Sequence, residues 1–352
     1  MSSEVMLKID RLSIEFQSGQ TQSRPVRDVS LSIQHGEAVA LVGESGSGKS
    51  LTALAVMGLL PKEAKVAGSI EWYGKSASTI PNKLWAGRKV AMIFQDPVSS
   101  LNPSYTIGYQ LKEAIAHAAS VASRRLSNEE IVARAVELLE EVGIDHPKAR
   151  MNSYPHELSG GMNQRVGIAL ALACEPELLI ADEPTTALDV TVQKQILDLL
   201  ARLQRIRKMS VLLITHDLAV ASALCSRIAV MYAGQIVEIG EKDSVIRAPL
   251  HPYTRGLLAA RPTGGSTQSH GFDTASAQSP LSGLGTARRG VRLQTIVGSV
   301  PTAAYETVGC RFQMRCEFKK PECTHSAVPL VVQASSLRLY RCISPLNSAG
   351  ES

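Results

Sequence analysis

Short apolar runs alternate along the chain with longer stretches in which apolar residues recur every three or four positions. Leu7–Phe16 alternates polar and apolar residues, and this period of two predicts a strand with one buried face. Continuous apolar runs that are typical of buried strands occupy Ala38–Val42, Leu178–Ala181 and Val211–Ile214. Ile228–Tyr232 and Gln235–Ile239 flank Ala233–Gly234, which predicts a hairpin.

Stretches with helical spacing follow several of these runs. Leu51–Leu60 is apolar enough to predict a buried helix directly after a strand. Ser127–Gly143 carries a stronger helix signal, because Ser127 and Glu130 form a capping box ahead of an apolar face. Val192–Arg207 is a third stretch of this kind. Strands that alternate with helices predict an α/β core.

Composition divides the chain into a balanced body and a basic tail. The first 256 of the 352 residues carry 27 basic and 27 acidic side chains, whereas residues 257–352 carry 10 basic and 5 acidic ones. The formal net charge of +5 is too small an excess to predict nucleic-acid binding. No apolar run approaches the roughly 20 residues of a membrane span, and the opening MSSEVMLKID does not form a secretory signal. We therefore expect a cytosolic protein of about two domains, in which persistent disulfides are rare.

A glycine-rich loop stands between the predicted strand Ala38–Val42 and the helix that follows it. Residues 43–50 read GESGSGKS and fit the pattern G-x-x-x-x-G-K-[ST]. Its three glycines let the backbone N–H groups turn toward phosphates, and the helix presents its positive N-terminus to the same anion. Lys49 is placed to bridge β- and γ-phosphate oxygens, and Ser50 to bind Mg²⁺.

A second polar site follows the buried run at residues 178–180. The sequence LLIADEP places Asp182 and Glu183 at the end of a predicted strand, where an acidic pair is costly unless it meets a cation. Asp182 is placed to hold Mg²⁺ through water, and Glu183 to polarise the attacking water. The alternative is a surface acidic pair that starts a turn at Pro184, and the phosphate loop makes this alternative the weaker one.

The residues between these two motifs carry a family resemblance. LSGGMNQRV, from Leu158 to Val166, together with the phosphate loop resembles the signature of ABC-type ATPases. Other segments agree with that family in order and spacing: Gln95 in IFQDP resembles the Q-loop, Ala187–Asp189 the D-loop, His216 in ITHD the switch histidine, and Phe16 the A-loop aromatic that stacks on adenine. The resemblance covers about residues 5–256.

The resemblance implies an α/β fold, namely a P-loop ABC ATPase cassette with a RecA-like core, an antiparallel β subdomain and a helical subdomain, plus a small cysteine-containing C-terminal extension. The implied catalytic residues are Glu183, His216 and Gln95, and the implied Mg²⁺ site consists of Ser50, Gln95 and Asp182. The implied ATP-binding residues are Phe16, Gly43, Ser45, Gly46, Gly48, Lys49, Ser50, Leu51, Ser159, Gly160 and Gly161. The last three are implied to close over the γ-phosphate held by a partner cassette, so that ATP joins two cassettes.

Two further segments resemble the peptide-importer branch of this family. FQDPVSSLNP, from Phe94 to Pro103, is more extended than a generic Q-loop. HPYTRGLL, from His251 to Leu258, resembles the start of the C-terminal extension of oligopeptide and dipeptide importer ATPases. We therefore expect a cassette at residues 1–256 with a helical subdomain at about 101–176, a linker at 257–290 and the extension at 291–352.

Four of the six cysteines lie in the extension, at Cys310, Cys316, Cys323 and Cys342. Their spacing, C-x5-C-x6-C-x18-C, fits zinc poorly because compact zinc ribbons show C-x2-C pairs. Four thiolates can hold an iron–sulfur cluster, and some ATPases that this chain resembles carry a [4Fe-4S] cluster at such a tail. We expect such a cluster, with reduced packing thiols and zinc as the alternatives. The basic residues expected to offset its charge are Arg311, Arg315, Lys319, Lys320 and Arg341.

The resemblance implies an ATP-hydrolysing subunit that energises a bacterial importer for di- or oligopeptides. Its implied partners are two permease subunits, a second related ATPase or a second copy of itself, and, through the complex, a periplasmic solute-binding protein. Its implied place is the cytoplasmic face of the inner membrane, as a peripheral protein. A nickel, opine or glutathione importer is a rival within the class, and a soluble ABC ATPase that is not coupled to transport is a rival of another class.

Overall fold

The computed structural model describes most of the chain, namely residues 4–18, 21–77, 89–96, 100–186, 188–260, 296, 298–333 and 338–346. Several of the expectations from the sequence fall partly on residues outside these ranges. Ala187 of the expected D-loop, residues 97–99 of the extended Q-loop and residues 261–290 of the expected linker lie outside the described residues.

The described strands form two sheets. The strands are β1 (Val5–Ser18), β2 (Thr21–Gln34), β3 (Ala38–Val42), β4 (Ala64–Trp72), β5 (Lys75–Ser76), β6 (Val90–Ile93), β7 (Leu178–Asp182), β8 (Ser210–Thr215), β9 (Arg227–Tyr232), β10 (Gln235–Glu241), β11 (Val331–Val332) and β12 (Leu339–Tyr340). The described α-helices are α1 (Lys49–Met57), α2 (Ile107–Val121), α3 (Asn128–Glu141), α4 (Pro147–Arg150), α5 (Gly160–Ala173), α6 (Val190–Arg207), α7 (Leu218–Leu224), α8 (Lys242–Arg247) and α9 (Pro252–Ala259).

The larger sheet is mixed and has the order β11-β12-β10-β9-β3-β8-β7-β6. Its strands from β9 to β6 are parallel, and β10, β12 and β11 are antiparallel additions at one side. The register aligns Val42 at the end of β3 with Thr215 at the end of β8, and Asp182 at the end of β7 with Ile214. Because parallel strands end at the same edge of a sheet, the loops that follow β3, β6, β7 and β8 meet there.

The core consists of two layers on the two faces of the larger sheet. Within β3, the side chains of Ala40 and Val42 belong to one buried cluster and those of Val39 and Leu41 to the other. Helices cover the first face, and the antiparallel sheet of order β2-β1-β4-β5 covers the second. Burial on both faces explains why the central strands are continuous apolar runs in the sequence rather than alternating ones.

Several local predictions are confirmed. Ser127 caps α3, with its hydroxyl accepting from the Glu130 N–H at 3.2 Å while the Glu130 carboxylate accepts from the Ser127 N–H at 2.7 Å. The hairpin between β9 and β10 turns at Ala233 and Gly234, whose φ angles of +43° and +83° suit a two-residue turn. The first helix begins at Lys49, two residues before the predicted start, and therefore includes the end of the phosphate loop.

The C-terminal extension packs directly on the cassette. Strand β12 pairs antiparallel with β10 and so continues the larger sheet. Phe312 packs against the rings of Tyr232 and Tyr253 at centroid distances of 5.1 and 5.4 Å. Helix α9 continues to Ala259, so residues 257–259, which the sequence assigned to the linker, are helical. Within the described ranges, no helix has both the length and the apolar character to cross a membrane.

Candidate nucleotide site

The glycine-rich loop at residues 43–50 connects β3 to α1, as its sequence predicts. The Lys49 side chain folds back into this loop, where Nζ donates to the carbonyl oxygens of Gly43 at 2.8 Å and Glu44 at 2.9 Å. Burial lowers the pKa of Lys49, although nearby carboxylates oppose this effect. The ammonium group is thus held by weak, neutral acceptors that phosphate oxygens can replace.

Two carboxylates follow at the end of β7. Asp182 is 5% exposed, and burial raises its pKa against the opposing effect of a hydrogen bond from Ser50. Within the described part of the chain, Asp182 Oδ1 has no hydrogen-bond partner. Glu183 has a φ of +45°, a region that a non-glycine residue enters only when its surroundings hold it, and its N–H donates to the Ile214 carbonyl at 2.8 Å.

The Glu183 carboxylate contacts three polar side chains, of which two come from other loops. Its Oε2 accepts from Gln95 Nε2 at 3.3 Å and from Thr186 Oγ1 at 2.9 Å, and it lies 3.3 Å from His216 Nδ1. The hydrogen bond with His216 lowers the pKa of Glu183 and raises the pKa of His216. The carboxylate is therefore ionised at neutral pH and oriented by its neighbours, which is what a proton acceptor for water requires.

Lys49, Gln95, Glu183 and His216 line one cavity at the carboxyl edge of the larger sheet. Its volume is about 530 Å³, and it is lined by residues 44–51 of the loop together with Gln95, Glu183 and His216. The loop supplies backbone N–H groups and a lysine for phosphates, and the far wall supplies a base with its orienting partners. The arrangement can hold a nucleoside triphosphate and activate a water molecule against it.

Other predicted site residues do not line this cavity. Phe16 is partly buried and packs against the core beneath the antiparallel sheet. Ser159 caps α5, with its hydroxyl accepting from the Met162 N–H at 3.3 Å, and Ser159 and Gly160 are exposed. The contact of Phe16 with adenine and the contact of Ser159, Gly160 and Gly161 with a second phosphate site therefore stay predictions.

The structure adds residues to the nucleotide site that the sequence did not indicate for it. Thr186 supports Glu183, and only its place within the ADEPTT run could have drawn attention to it. Tyr253 accepts from the Glu44 N–H at 2.9 Å, and Arg315 donates to the Glu44 carboxylate at 3.0 Å. Positions 44 and 315 are 271 residues apart, so no local pattern in the sequence connects them.

A phosphate loop that shares one cavity at the sheet edge with a glutamate and a histidine is the arrangement expected of an ABC-type ATPase. The family described as "ABC transporter" matches residues 26–186, and the family described as "Oligopeptide/dipeptide transporter, C-terminal region" matches residues 237–282 and 283–323. The chain belongs to the oligopeptide/dipeptide branch of the ABC transporter ATP-binding proteins, and as an ABC ATPase it binds and hydrolyses ATP.

Relatives match this chain over nearly its whole length. It is 42% identical to the dipeptide transport ATP-binding protein DppD of Escherichia coli, with 98% of each chain covered. It is 44% identical to a putative peptide import ATP-binding protein of Brucella melitensis, over 97% of this chain and 98% of the relative. Among solved structures it resembles the ATP-binding cassette MJ0796, a dimer bound to ADP and Pi in a post-hydrolysis state, with 28% identity and a TM-score of 0.59 over 67% of this chain and 99% of that one.

The prediction of an iron–sulfur cluster is wrong. In the ranges that the structure describes, no group of three or more His, Cys, Asp or Glu side chains is arranged to hold a metal ion, and the DppD name mentions only dipeptide transport and ATP binding. Burial raises the pKa of Cys310 to about 11 and that of Cys342 to about 12, and it also raises the pKa of Cys316. Burial disfavours the thiolate form that cluster ligands take, and the structure shows these cysteines without disulfides in the extension.

The arginines that were expected to surround the cluster bind the cassette instead. Arg311 donates to the carbonyl of Ala233 in the turn of the β9–β10 hairpin. Arg315 pairs with Glu44 at 3.0 Å, and Arg341 pairs with Asp28 at 3.0 Å. These three arginines therefore attach the extension to carbonyl and carboxylate groups of the cassette.

Proposed function

We propose that this chain supplies the energy of ATP hydrolysis to an importer of di- or oligopeptides in the bacterial inner membrane. The observation that carries the proposal is the match along 98% of the chain to a dipeptide transport ATP-binding protein, which includes the C-terminal region as well as the cassette. Nickel, opine and glutathione importers stay rivals, since cargo does not contact this subunit. A soluble ABC ATPase is disfavoured because the chain has one cassette and carries the transporter-type extension.

Hydrolysis follows from the groups around the cavity. Lys49 exchanges its two carbonyl acceptors for phosphate oxygens when ATP enters, which strengthens its hydrogen bonds because the new acceptors are charged. Glu183 accepts a proton from the attacking water, and Gln95 and His216 orient that water relative to the γ-phosphate. A general base of this kind contributes about 10²–10⁴-fold to the rate.

The acidic end of β7 also fits a divalent cation. Asp182 Oδ1 is buried and has no hydrogen-bond partner in the described residues, an arrangement that is costly without a cation nearby. Ser50 hydrogen-bonds to the same side chain. We infer that Ser50, Asp182 and Gln95 hold Mg²⁺ directly or through water. The ion would supply positive charge to the phosphate oxygens during transfer.

We infer that a second cassette completes the site. Ser159 and Gly160 are exposed at the N-terminus of α5 and do not line the cavity of their own chain. The N–H groups at a helix N-terminus can bind anions, which supports contact of these residues with the γ-phosphate on a facing cassette. We propose a dimer of cassettes, formed with a related ATPase or with a second copy of this chain.

Exposed aromatic side chains support docking onto permease subunits. Phe94, beside Gln95, is 45% exposed, and Tyr105 and Tyr109 are 45% and 47% exposed and stack on each other at 4.6 Å. Large exposed aromatic residues are typical of protein interfaces. Such docking would place the chain on the cytoplasmic face of the inner membrane, where a periplasmic solute-binding protein acts through the same complex.

Replacement of Glu183 by Gln in the reconstituted transporter tests this proposal. We expect ATP turnover to fall by about 10²–10⁴-fold and peptide uptake to stop, while ATP binding remains. Glu175→Gln is a matched control, because Glu175 also has a left-handed φ, of +50°, but pairs with Arg124 on the surface. Unchanged turnover in Glu183→Gln contradicts the role of the base. Uptake by the unmodified transporter is measured with labelled dipeptides and with nickel, an opine and glutathione. If the ATPase is active but the transporter takes up one of the other three cargoes instead of dipeptides, the proposed peptide cargo is wrong.

A further inference from the structure

The C-terminal extension contacts the phosphate loop itself. The Tyr305 hydroxyl donates to the Gly46 carbonyl, and the Arg315 guanidinium donates to both oxygens of the Glu44 carboxylate at 3.0 and 3.1 Å. Gly46 and Glu44 both line the nucleotide cavity. Two side chains from the last 50 residues therefore act on the loop that binds phosphates.

Arg315 is held in place by more than its ion pair. Its side chain is 7% exposed, and Nη2 donates to the carbonyls of Gly298 at 2.7 Å and Ile296 at 3.3 Å. Its guanidinium also lies 5.8 Å from the centre of the Tyr232 ring. Because these contacts fix the guanidinium, its charge meets the Glu44 carboxylate in one geometry rather than as a mobile surface pair.

Glu44 is an unusual neighbour for a triphosphate. Glu44 lines a cavity that is to hold an anion, and its carboxylate raises the pKa of Lys49 in the same loop. Without Arg315, this carboxylate would repel the phosphates and compete with them for Lys49. With Arg315, the pair has no net charge, and Lys49 remains available to the nucleotide.

We propose that Arg315 is a positioning residue of the nucleotide site, which neutralises Glu44 and thereby lets the C-terminal extension set the affinity of the phosphate loop for ATP. Tyr305 assists by holding the Gly46 carbonyl away from the phosphates. The inference rests on the ATP site and not on the proposed peptide cargo. A failure of peptide transport and a failure of this inference are therefore measured separately.

The test is ATP binding by the full-length chain, measured with a fluorescent ATP analogue and Mg²⁺ in three variants. Arg315→Met should weaken binding about tenfold, the scale of one partly buried charge interaction, and the loss should shrink as KCl is raised because salt screens charge. Glu44→Gln should bind as tightly as the unmodified chain or more tightly. The double variant Arg315→Met/Glu44→Gln should return to within about twofold of the unmodified chain, since the repelling charge is gone.

Arg341→Met is the matched control. Arg341 also has a 7% exposed side chain, also belongs to the extension and also pairs with a carboxylate at 3.0 Å, but that carboxylate is Asp28, outside the phosphate loop. Its loss should lower the urea midpoint of unfolding about as much as the loss of Arg315, without changing ATP affinity. Tyr305→Phe, which removes only the hydroxyl, should weaken ATP binding less than Arg315→Met.

The outcomes distinguish two roles for Arg315: neutralising the charge of Glu44, or only attaching the extension to the cassette. Rescue by Glu44→Gln together with normal affinity in Arg341→Met supports the proposal. If Arg341→Met weakens ATP binding as much as Arg315→Met does, the extension acts only through general stability and the proposal is overturned. It is also overturned if the double variant binds ATP as weakly as Arg315→Met alone, since neutralising Glu44 would then have no effect.

Discussion

Replacement of Arg338 by Met tests whether the extension is an integral part of the larger sheet. Arg338 immediately precedes β12, and its guanidinium pairs with Glu238 on β10 and donates to the Ala248 carbonyl at 2.5 Å. The Glu238 side chain is 0% exposed and that of Arg338 is 6% exposed. The pair thus joins the extension to the cassette at a point that water does not reach.

The expected magnitude follows from what Met leaves behind. In Arg338→Met the Glu238 carboxylate keeps the N–H groups of Leu250 at 3.0 Å and His251 at 2.9 Å, but no positive charge. Removal of one partner from a buried pair costs about 3–5 kcal/mol, because the other charge stays desolvated and unpaired. Since two N–H donors remain, we expect a loss of about 3 kcal/mol in the free energy of unfolding.

The assay is equilibrium urea unfolding of the full-length chain, followed by circular dichroism and analysed at a common m-value. The control is Lys8→Met, because Lys8 and Glu71 form an exposed pair at 3.9 Å with side chains 51% and 31% exposed. An exposed pair of this kind contributes about 0–1 kcal/mol. Glu238→Gln in the Arg338→Met background should restore part of the stability, since no buried charge then remains.

The reasoning is refuted if Arg338→Met and Lys8→Met lose similar stability. It is equally refuted if the additional Glu238→Gln change makes the Arg338→Met variant less stable, because a neutral side chain cannot be worse than an unpaired buried charge under this account.

Two further predictions concern the nucleotide site. Gly43→Ala should abolish ATP binding in a nucleotide titration, because a Cβ atom there would lie 2.1 Å from the Met231 carbonyl oxygen and would displace the loop; retained affinity would contradict this. Glu183→Gln should lower the pKa of His216, which the Glu183 carboxylate now raises, in an NMR titration of the imidazole. The stabilisation from this pair is full below the ordinary histidine pKa and is lost as the pH rises through the raised pKa. An unchanged His216 titration in Glu183→Gln would show that the carboxylate does not act on the ring.

Local features of the fold were predictable because their causes are local. The capping of α3 depends on Ser127 and Glu130, three positions apart, and the structure contains both hydrogen bonds. The phosphate loop depends on a strand, a set of glycines and a helix start within 20 residues; all three are present, with the helix beginning two residues before its predicted start. The fully buried strands were predictable from their continuous apolar runs.

The errors arose where a residue's partner is distant in the chain. The cysteines and basic residues of the extension suggested a metal centre. Their spacing along the chain can be read from the sequence, but the residues that they contact in the folded protein cannot. Arg315 and Glu44 are 271 positions apart, and Arg341 and Asp28 are 313 apart. Burial of Cys310 and Cys342, which raises the pKa of their thiols, is likewise a property of the packed extension and of no segment alone.

The sequence by itself determined the local elements, the phosphate loop and the types of chemical group at the site, since each depends on neighbouring residues. The tertiary structure decided which groups meet. Gln95, Glu183 and His216 come from three different loops, and they converge because β6, β7 and β8 are parallel and end at one edge. The same packing decided that the basic extension binds the phosphate loop, since only the folded sheet brings its arginines to carboxylates hundreds of residues away.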